Sequence, residues 1–369
     1  MRASGQLHPV AILQRRAGRR RTGRRLNRTP LVTSDPLPPS GFAPAARPPE
    51  IWRGSGPAPA ALAGSVVAIG NFDGVHLGHK ALIAEALALG RRAGVGAALV
   101  TFEPHPRTVF RPDHPVFRLT PPDLRAILAG ECGVSAIAEL QFDRVFAAQP
   151  AMEFIEDLLI GRIGAAGVVV GSDFAFGRGR EGDAALLRRE FAARGRPVSI
   201  LDPVASADGA PISSSRIRAA LEAGDMALAN ELLGHRWRVR AEIVHGDKRG
   251  RLLGYPTANM LLSPDFRLRH GIYAVRMRLG DAPVGGAWLP GVASFGRRPT
   301  FDDGAPRLET FLFDFSGDLY GRIAEIEFAG WIRGEAKFAD MEALIVQMDR
   351  DSAEARAILG CAPGGGGPR

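Results

Sequence analysis

Two short stretches of the chain concentrate residues able to handle phosphate. The first, GNFDGVHLGHK, runs from Gly70 to Lys80 and places His76 and His79 three residues apart, behind Gly70 and Gly74. At that spacing both imidazoles share one face of a helix, and the glycines let the backbone turn tightly against a ligand. Backbone N–H groups at a helix start, joined by two imidazoles, would stabilise charge growing on a nucleotide α-phosphate under attack. The same spacing also suits a metal site or two plain surface histidines, and the pair alone does not choose. The second stretch, HGDKRGRLLGYPTANM from His245 to Met260, holds Gly246 and Gly254, the basic cluster Lys248, Arg249 and Arg251, and then Pro256 before Thr257 and Asn259. Its glycines let a loop close over phosphates, and a Pro-fixed turn would present two hard oxygen donors suited to Mg²⁺ and nucleotide phosphate. An ordinary β-turn with capping polar groups has the same composition.

These residues need elements to hold them. From Val66 onward, short apolar runs alternate with helical segments: VVAI, a helix from about His79 to Ala93, AALVTF, GVVVG and VSILDPV. Alternation of that kind predicts a doubly wound parallel sheet with helices on both faces. Ligands of such sheets bind at the carboxyl ends of the strands, so motifs that directly follow VVAI, LVTF and VVVG converge on one crevice. Beyond Gly234 the pattern turns β-rich, with WRVRAEIVHG, GIYAVRMRLG, AWLPGVASFG, LETFLFDF and AEIEFAGWIR separated by Gly and Pro turns. Short strands at near-regular spacing predict a closed six-stranded-type β-barrel, followed by a helix from about Met341 to Leu359. The expected division is an extension over 1–64, an α/β domain over 65–234 and a barrel domain over 235–369.

Composition narrows the classes. The chain has 369 residues, 46% of them hydrophobic and 23% charged, and it contains no apolar run of about 18 residues such as a membrane helix needs. Its two cysteines, Cys132 and Cys361, lack neighbours at zinc-site spacing, which fits a reducing cytoplasm and no structural zinc. The net charge of +8 hints at nucleic acid, yet nine arginines and no acid fall within residues 1–30, leaving the remainder close to neutral. That argues against nucleic-acid binding by the body of the protein and leaves the tail as its sole candidate. The segment DPLPPSGFAPAARPPE has too little periodic apolar surface to pack, so residues 1–64 are expected to form a disordered Arg/Pro-rich extension. A dispensable tail, a targeting segment and a phosphate-contacting arm all share this composition.

The first motif resembles the GxFDGxHxGH element of nucleotidylyltransferases and, as GNFDGVHLGH, the adenylyltransferase module of bacterial FAD synthetases. TFEPHP at 101–106, VGSDFAFGRGREGD at 170–183 and ISSSRIR at 212–218 match in the same order. The second motif resembles the GxPTAN signature of riboflavin kinases, followed in order by GIYAV, GVASFGRRPTF, LETFLFDF and IRGEAKF. The resemblance implies ATP-dependent phosphorylation of riboflavin to FMN and adenylylation of FMN to FAD, with Mg²⁺ accompanying ATP. It implies that Gly70, Asn71, Phe72, Asp73, His76, His79, Ser214, Ser215 and Arg218 bind or polarise ATP, and that His105, Pro106 and Asp173 shape the flavin side. In the barrel it implies that Gly246, Lys248, Gly254, Pro256, Thr257 and Asn259 bind ATP, with Thr257 and Asn259 as metal ligands and Glu309 as the general base. Taken alone, Ser213–Ser215 with Arg216 and Arg218 also suit a capped amphipathic helix, and Glu309 also suits a solvent-facing strand position. Three positions depart from the pattern: Asp173 stands where Asn occurs, Tyr255 where Phe is common, and Phe311 where His is usual. Oligomeric state is not legible.

Overall fold

Every residue of Val66–Ile69 (β2) is buried, as a strand covered on both faces requires. The computed structural model describes residues 47–246, 255–280, 286–297 and 306–361. In it β2 is central to a six-stranded, all-parallel sheet ordered β1-β4-β3-β2-β5-β8, with β1 Glu50–Trp52, β3 Ala97–Glu103, β4 Ala136–Gln141, β5 Gly167–Gly171 and β8 Val198–Leu201.

Alternate side chains along each strand build two apolar layers. Val66, Ala68, Leu99 and Ile137 meet Ile83 and Ala86 of α1 (Leu77–Ala93) and Leu124 and Leu128 on the far side. On the opposite face Val67, Val100 and Val170 meet Phe154, Ile155 and Leu159. Helices therefore cover both faces, as the alternation predicted. In chain order they are α2 (Pro106–Phe110), α3 (Pro122–Glu131), α4 (Arg144–Ala147), α5 (Ala151–Glu153) running into a π-helical stretch at Phe154–Arg162, α6 (Ala184–Ala192), α7 (Ser214–Ala223) and α8 (Met226–Leu233). A small ribbon, β6 (Ala175–Phe176) with β7 (Gly182–Asp183), follows β5.

After Gly234, six antiparallel strands close into a barrel ordered β10-β13-β12-β11-β14-β9: β9 Trp237–Val244, β10 Thr257–Leu261, β11 Gly271–Leu279, β12 Leu289–Arg297, β13 Pro306–Leu312 and β14 Ile323–Arg333. Strand β13 shows the rule, since Leu308, Thr310 and Leu312 are buried while Arg307, Glu309 and Phe311 between them are half-buried. The C-terminal helix α9 (Met341–Leu359) buries Ala355 and Leu359 against Ala274 and Phe313 outside the barrel. Ile217, Leu221, Leu232 and Leu233 of α7 and α8 share one continuous core with Trp237 and Phe328 of the barrel.

Two expectations need correction. Residues 47–64 do not belong to a disordered extension: β1 pairs with β4, Trp52 is 5% exposed and Leu62 fully buried. Three strand residues and two isolated apolar side chains carry no sequence periodicity, so only the sheet edge beside them reveals their role. Residues 1–46 lie outside the described structure. The Pro-Thr-Ala-Asn segment is not a turn but the start of β10, because Pro256 precedes the ladder and removes no hydrogen bond from it. Lys248 and Gly254, with Arg249 and Arg251, lie outside the described residues.

Candidate functional site

Chain connections leave β2 toward β3 on one side and reach β5 and β8 on the other, so the sheet order reverses beside β2. A cleft of about 960 Å³ opens there, over the carboxyl ends of β2, β3, β5 and β8. Gly70, Asn71, His76, His79, His105, Pro106, Asp173, Ser214, Ser215 and Arg218 all line it.

His76 is the N-cap of α1, and its Nδ1 accepts from the His79 N–H at 3.3 Å. With Nδ1 an acceptor, a neutral His76 must carry its proton on Nε2, leaving that N–H as a donor. The His76 and His79 rings stack at 3.6 Å between centroids. Burial lowers the His76 pKa to about 4, with nearby Arg218 acting in the same direction and Asp73 against it. Burial, with the His76 ring beside it, holds His79 well below its usual value. The pair is therefore neutral near pH 7, a set of hydrogen-bond donors rather than point charges. His105 caps α2 by accepting from the Arg107 N–H at 3.1 Å, and burial with the Arg118 charge lowers its pKa to about 4 as well.

Fixed positive charge comes from Arg218, on α7. Ser213 caps that helix by accepting from the Arg216 N–H, while Ser214 Oγ donates to the Asp73 carbonyl at 2.8 Å and so ties the helix start to the histidine loop. Arg218 Nε donates to the Phe117 carbonyl at 2.6 Å and its Nη2 pairs with Asp73. Arg216 turns away, to Ser206 and Asp208. Phe72 and Asp73 are placed beneath the cleft rather than in its lining. Phe72 is fully buried with its ring 5.1 Å from His79, and Asp73, 1% exposed, accepts from Thr120 N–H at 2.9 Å.

The same cleft has an aromatic lining that sequence reasoning did not assign. Phe102, Phe142, Phe146, Phe154, Phe174 and Phe176 line the cleft, Phe174 and Phe176 stacking at 5.3 Å. Phe102, Phe174 and Phe176 fall inside matched motifs without being singled out there, while Phe142, Phe146 and Phe154 come from segments that no motif marks. A wall of π faces fits a planar ring system, and the histidine–arginine group fits phosphates.

A second cavity, of about 550 Å³, opens at the barrel and is lined by Gly246, Pro256, Thr257, Asn259 and Thr310, with Ser316, Asp318 and Tyr320 from the loop after β13. Asn259 Nδ2 donates to the Thr257 carbonyl at 3.2 Å and lies 3.4 Å from Thr257 Oγ1. Gly246 passes so close that a Cβ there would sit 2.4 Å from Asn259 Nδ2. Glu309 faces Asn259 across the β10–β13 ladder, on the same outer side of the barrel, but is not part of the cavity's lining. Phe311 stands opposite Thr257 and packs 4.7 Å from Tyr255, whose hydroxyl bonds Asp349 of α9. Burial and that carboxylate push the Tyr255 pKa up to about 12. Ser316, Asp318 and Tyr320 carry no signature of their own, and only the barrel brings them to Thr257.

Comparison with known proteins agrees with this two-site layout. Residues 58–216 match the FAD synthetase family and residues 233–359 the riboflavin kinase family. The bifunctional riboflavin kinase/FMN adenylyltransferase of Escherichia coli K12 is 40% identical over 298 residues, covering 80% of this chain and 93% of that protein. Its Pseudomonas fluorescens counterpart is 39% identical over the same shares of both chains. A crystal structure described as a macrolide-efflux protein from Streptococcus pneumoniae superposes with a TM-score of 0.69 at 32% identity, covering 78% of this chain and 92% of that one.

Proposed function

The chain belongs to the bifunctional riboflavin kinase/FMN adenylyltransferase family, and from that premise we propose how its two cavities divide the work. It phosphorylates riboflavin to FMN with ATP and transfers AMP from a second ATP to FMN, giving FAD and diphosphate. The first module, over 65–234 with 47–64 added, carries adenylyl transfer; the barrel module, over 235–369, carries phosphorylation. The observation that supports this assignment best is one cleft lined both by a neutral histidine pair with Arg218 and by a group of phenylalanines. The phenylalanines suit a flavin ring, and the histidines with Arg218 suit its phosphate and that of ATP.

In the adenylylation cleft the FMN phosphate attacks the α-phosphorus of ATP in line, diphosphate leaves, and no covalent enzyme intermediate forms. His76 Nε2–H and the amides at the start of α1 donate to the α-phosphate oxygens as charge accumulates. Ser215 and Arg218 hold the departing diphosphate, while Asp73 acts from below by fixing Arg218. His105, Pro106 and Asp173 border the flavin side.

In the barrel, Glu309 takes the proton from the riboflavin 5′-hydroxyl, which then attacks the γ-phosphorus and displaces ADP. Thr257 Oγ1 and Asn259 Oδ1 are uncharged oxygen donors in one cavity, a set that fits a divalent cation whose other ligands are ATP phosphates, and Mg²⁺ is our assignment. When bound, that ion neutralises triphosphate charge. Lys248 and Gly254, outside the described residues, complete the proposed ATP contacts. Cys132 and Cys361 are unpaired, and we assign the enzyme to the cytoplasm. No helix among the described residues is long and apolar enough to cross a membrane, and the efflux description of the streptococcal structure stays with that protein. Incubating the protein with riboflavin and MgATP and resolving riboflavin, FMN and FAD over time tests the reading: sequential appearance of FMN and FAD is expected, and absence of both products refutes it.

A further inference from the structure

The residues that hold Arg218 in the cleft lead, bond by bond, into the barrel. Arg218 has two acceptors: Asp73 for Nη2 and the Phe117 carbonyl for Nε. Asp73 is itself fixed by the backbone N–H and hydroxyl of Thr120, at 2.9 and 3.3 Å, and the same hydroxyl accepts from the Gly74 N–H at 2.8 Å. Both supports of the guanidinium therefore belong to, or hang from, the short segment 117–120. That segment is held in turn by Trp237, the first residue of β9. Its indole Nε1–H donates to the Leu119 carbonyl at 3.0 Å, and its ring meets Phe117 edge-on at 6.0 Å.

A second tie runs to the histidine loop itself. Lys80 on α1 donates to the Gly234 carbonyl at 2.8 Å, three residues before Trp237. Gly74 has φ +95°, and a Cβ there would press on Leu119 at 3.0 Å and Leu233 at 3.3 Å. The loop of the nucleotide motif thus rests on side chains that also pack against the barrel core.

We propose that Trp237 is a positioning residue for adenylyl transfer, acting from the kinase barrel: through Leu119 and Thr120 it sets Asp73, and through Asp73 and Phe117 it aims Arg218 at the nucleotide phosphates. This rests on the adenylyl-transfer reading of the cleft. A long arginine side chain loses much rotamer freedom when it binds phosphate, and two preset acceptors remove that cost in advance. Displacing segment 117–120 moves both acceptors together, so the effect falls on phosphate recognition and not on the aromatic wall.

The test uses the full chain and both activities of each preparation. Trp237→Phe keeps a ring against Phe117 and loses the N–H. We expect the KM for ATP in FAD formation from supplied FMN to rise about tenfold, as for loss of a buried hydrogen bond coupled to a charged group, with the KM for FMN and both kinase constants within about twofold. Asp73→Asn should give the same split, and the double variant should be no worse than the more severe single, because both act through one frame. Should Trp237→Phe not fold, Trp237→Tyr, which also keeps a ring against Phe117 and loses the indole N–H, must show the same ATP-selective rise. A wild-type ATP constant in Trp237→Phe, additive losses in the double variant, or equal losses in both activities would each overturn the proposal. A wild-type protein that makes no FAD would instead defeat the underlying reading.

Discussion

At the scale of single residues, burial decides protonation. Desolvation is the chief cause that lowers the pKa of both His76 and His105 to about 4, against 6.5 for an ordinary imidazole. For such groups the unfolded chain binds more protons than the folded one between those limits. Their contribution to stability is therefore complete above pH 6.5 and is lost progressively as pH falls toward about 4. Imidazole NMR should show His76 and His105 silent between pH 8 and about 5.5, and the melting temperature should decline as pH falls from 6.5 toward about 4. A resonance of His76 titrating near 6.5 would contradict the neutral-donor role. Site chemistry gives a second expectation at this scale. Glu309→Gln keeps shape but removes the proposed base, so FMN formation should fall by about two orders of magnitude or more while FAD formation from supplied FMN persists. His76→Ala with His79→Ala should do the reverse, and loss of kinase activity in that folded double variant would show that the two sites are not chemically separate.

At the scale of elements, close backbone approach matters more than propensity. Gly246 ends the described part of β9's exit, and its missing side chain is what lets the chain pass over Asn259. Gly246→Ala puts a methyl 2.4 Å from Asn259 Nδ2, so Asn259 must move from its bond with Thr257. The expected result is a KM for ATP in the kinase reaction raised by roughly tenfold, with adenylylation nearly unchanged. Steady-state kinetics of the two half-reactions check this directly. Helix α9 enters the same argument, since Tyr255, one residue before Pro256, is tied to it through Asp349, and Asp351 on α9 accepts from Arg333 at 2.8 and 2.6 Å. The helix thereby clamps both the entry to β10 and the exit from β14, and its amphipathic stripe serves packing.

At the scale of the whole molecule, the edge strand β1 is part of the sheet that carries the adenylylation cleft. Deleting residues 1–46 should leave melting temperature and both activities nearly unchanged, while weakening retention on heparin by removing the nine clustered arginines. Deleting residues 1–60 is a different experiment, because it strips β1 from β4 and empties the place of Trp52, which also carries the Arg162 guanidinium 4.7 Å above its ring. Loss of a buried tryptophan costs about 3 to 5 kcal/mol, which corresponds to roughly 5 °C or more in melting temperature for a protein of this size. Equal melting curves for the two truncations would show that β1 is not part of the stable sheet. The continuous core across α7, α8 and the barrel, with Arg238 bonded to Glu131 at 2.8 Å and Arg240 to Asp123 at 2.7 Å, makes the two modules one mechanical body around residue 234.

The sequence by itself determined the elements whose pattern is local. Runs such as VVAI and GVVVG name buried parallel strands, Ser213 names a helix start, and the order of motifs names two phosphate-handling modules. Each of those signals depends on neighbours within a few residues. Tertiary structure alone decided what depends on distant partners. It gathered Phe102, Phe142, Phe154 and Phe176 into one wall, took Phe72 and Asp73 below the cleft, and recruited β1 to the sheet edge. It also bonded Trp237 to Leu119 across 118 residues of chain. Burial, proton affinity and shared cores are properties of what surrounds a side chain, and that environment exists only once the chain has closed on itself.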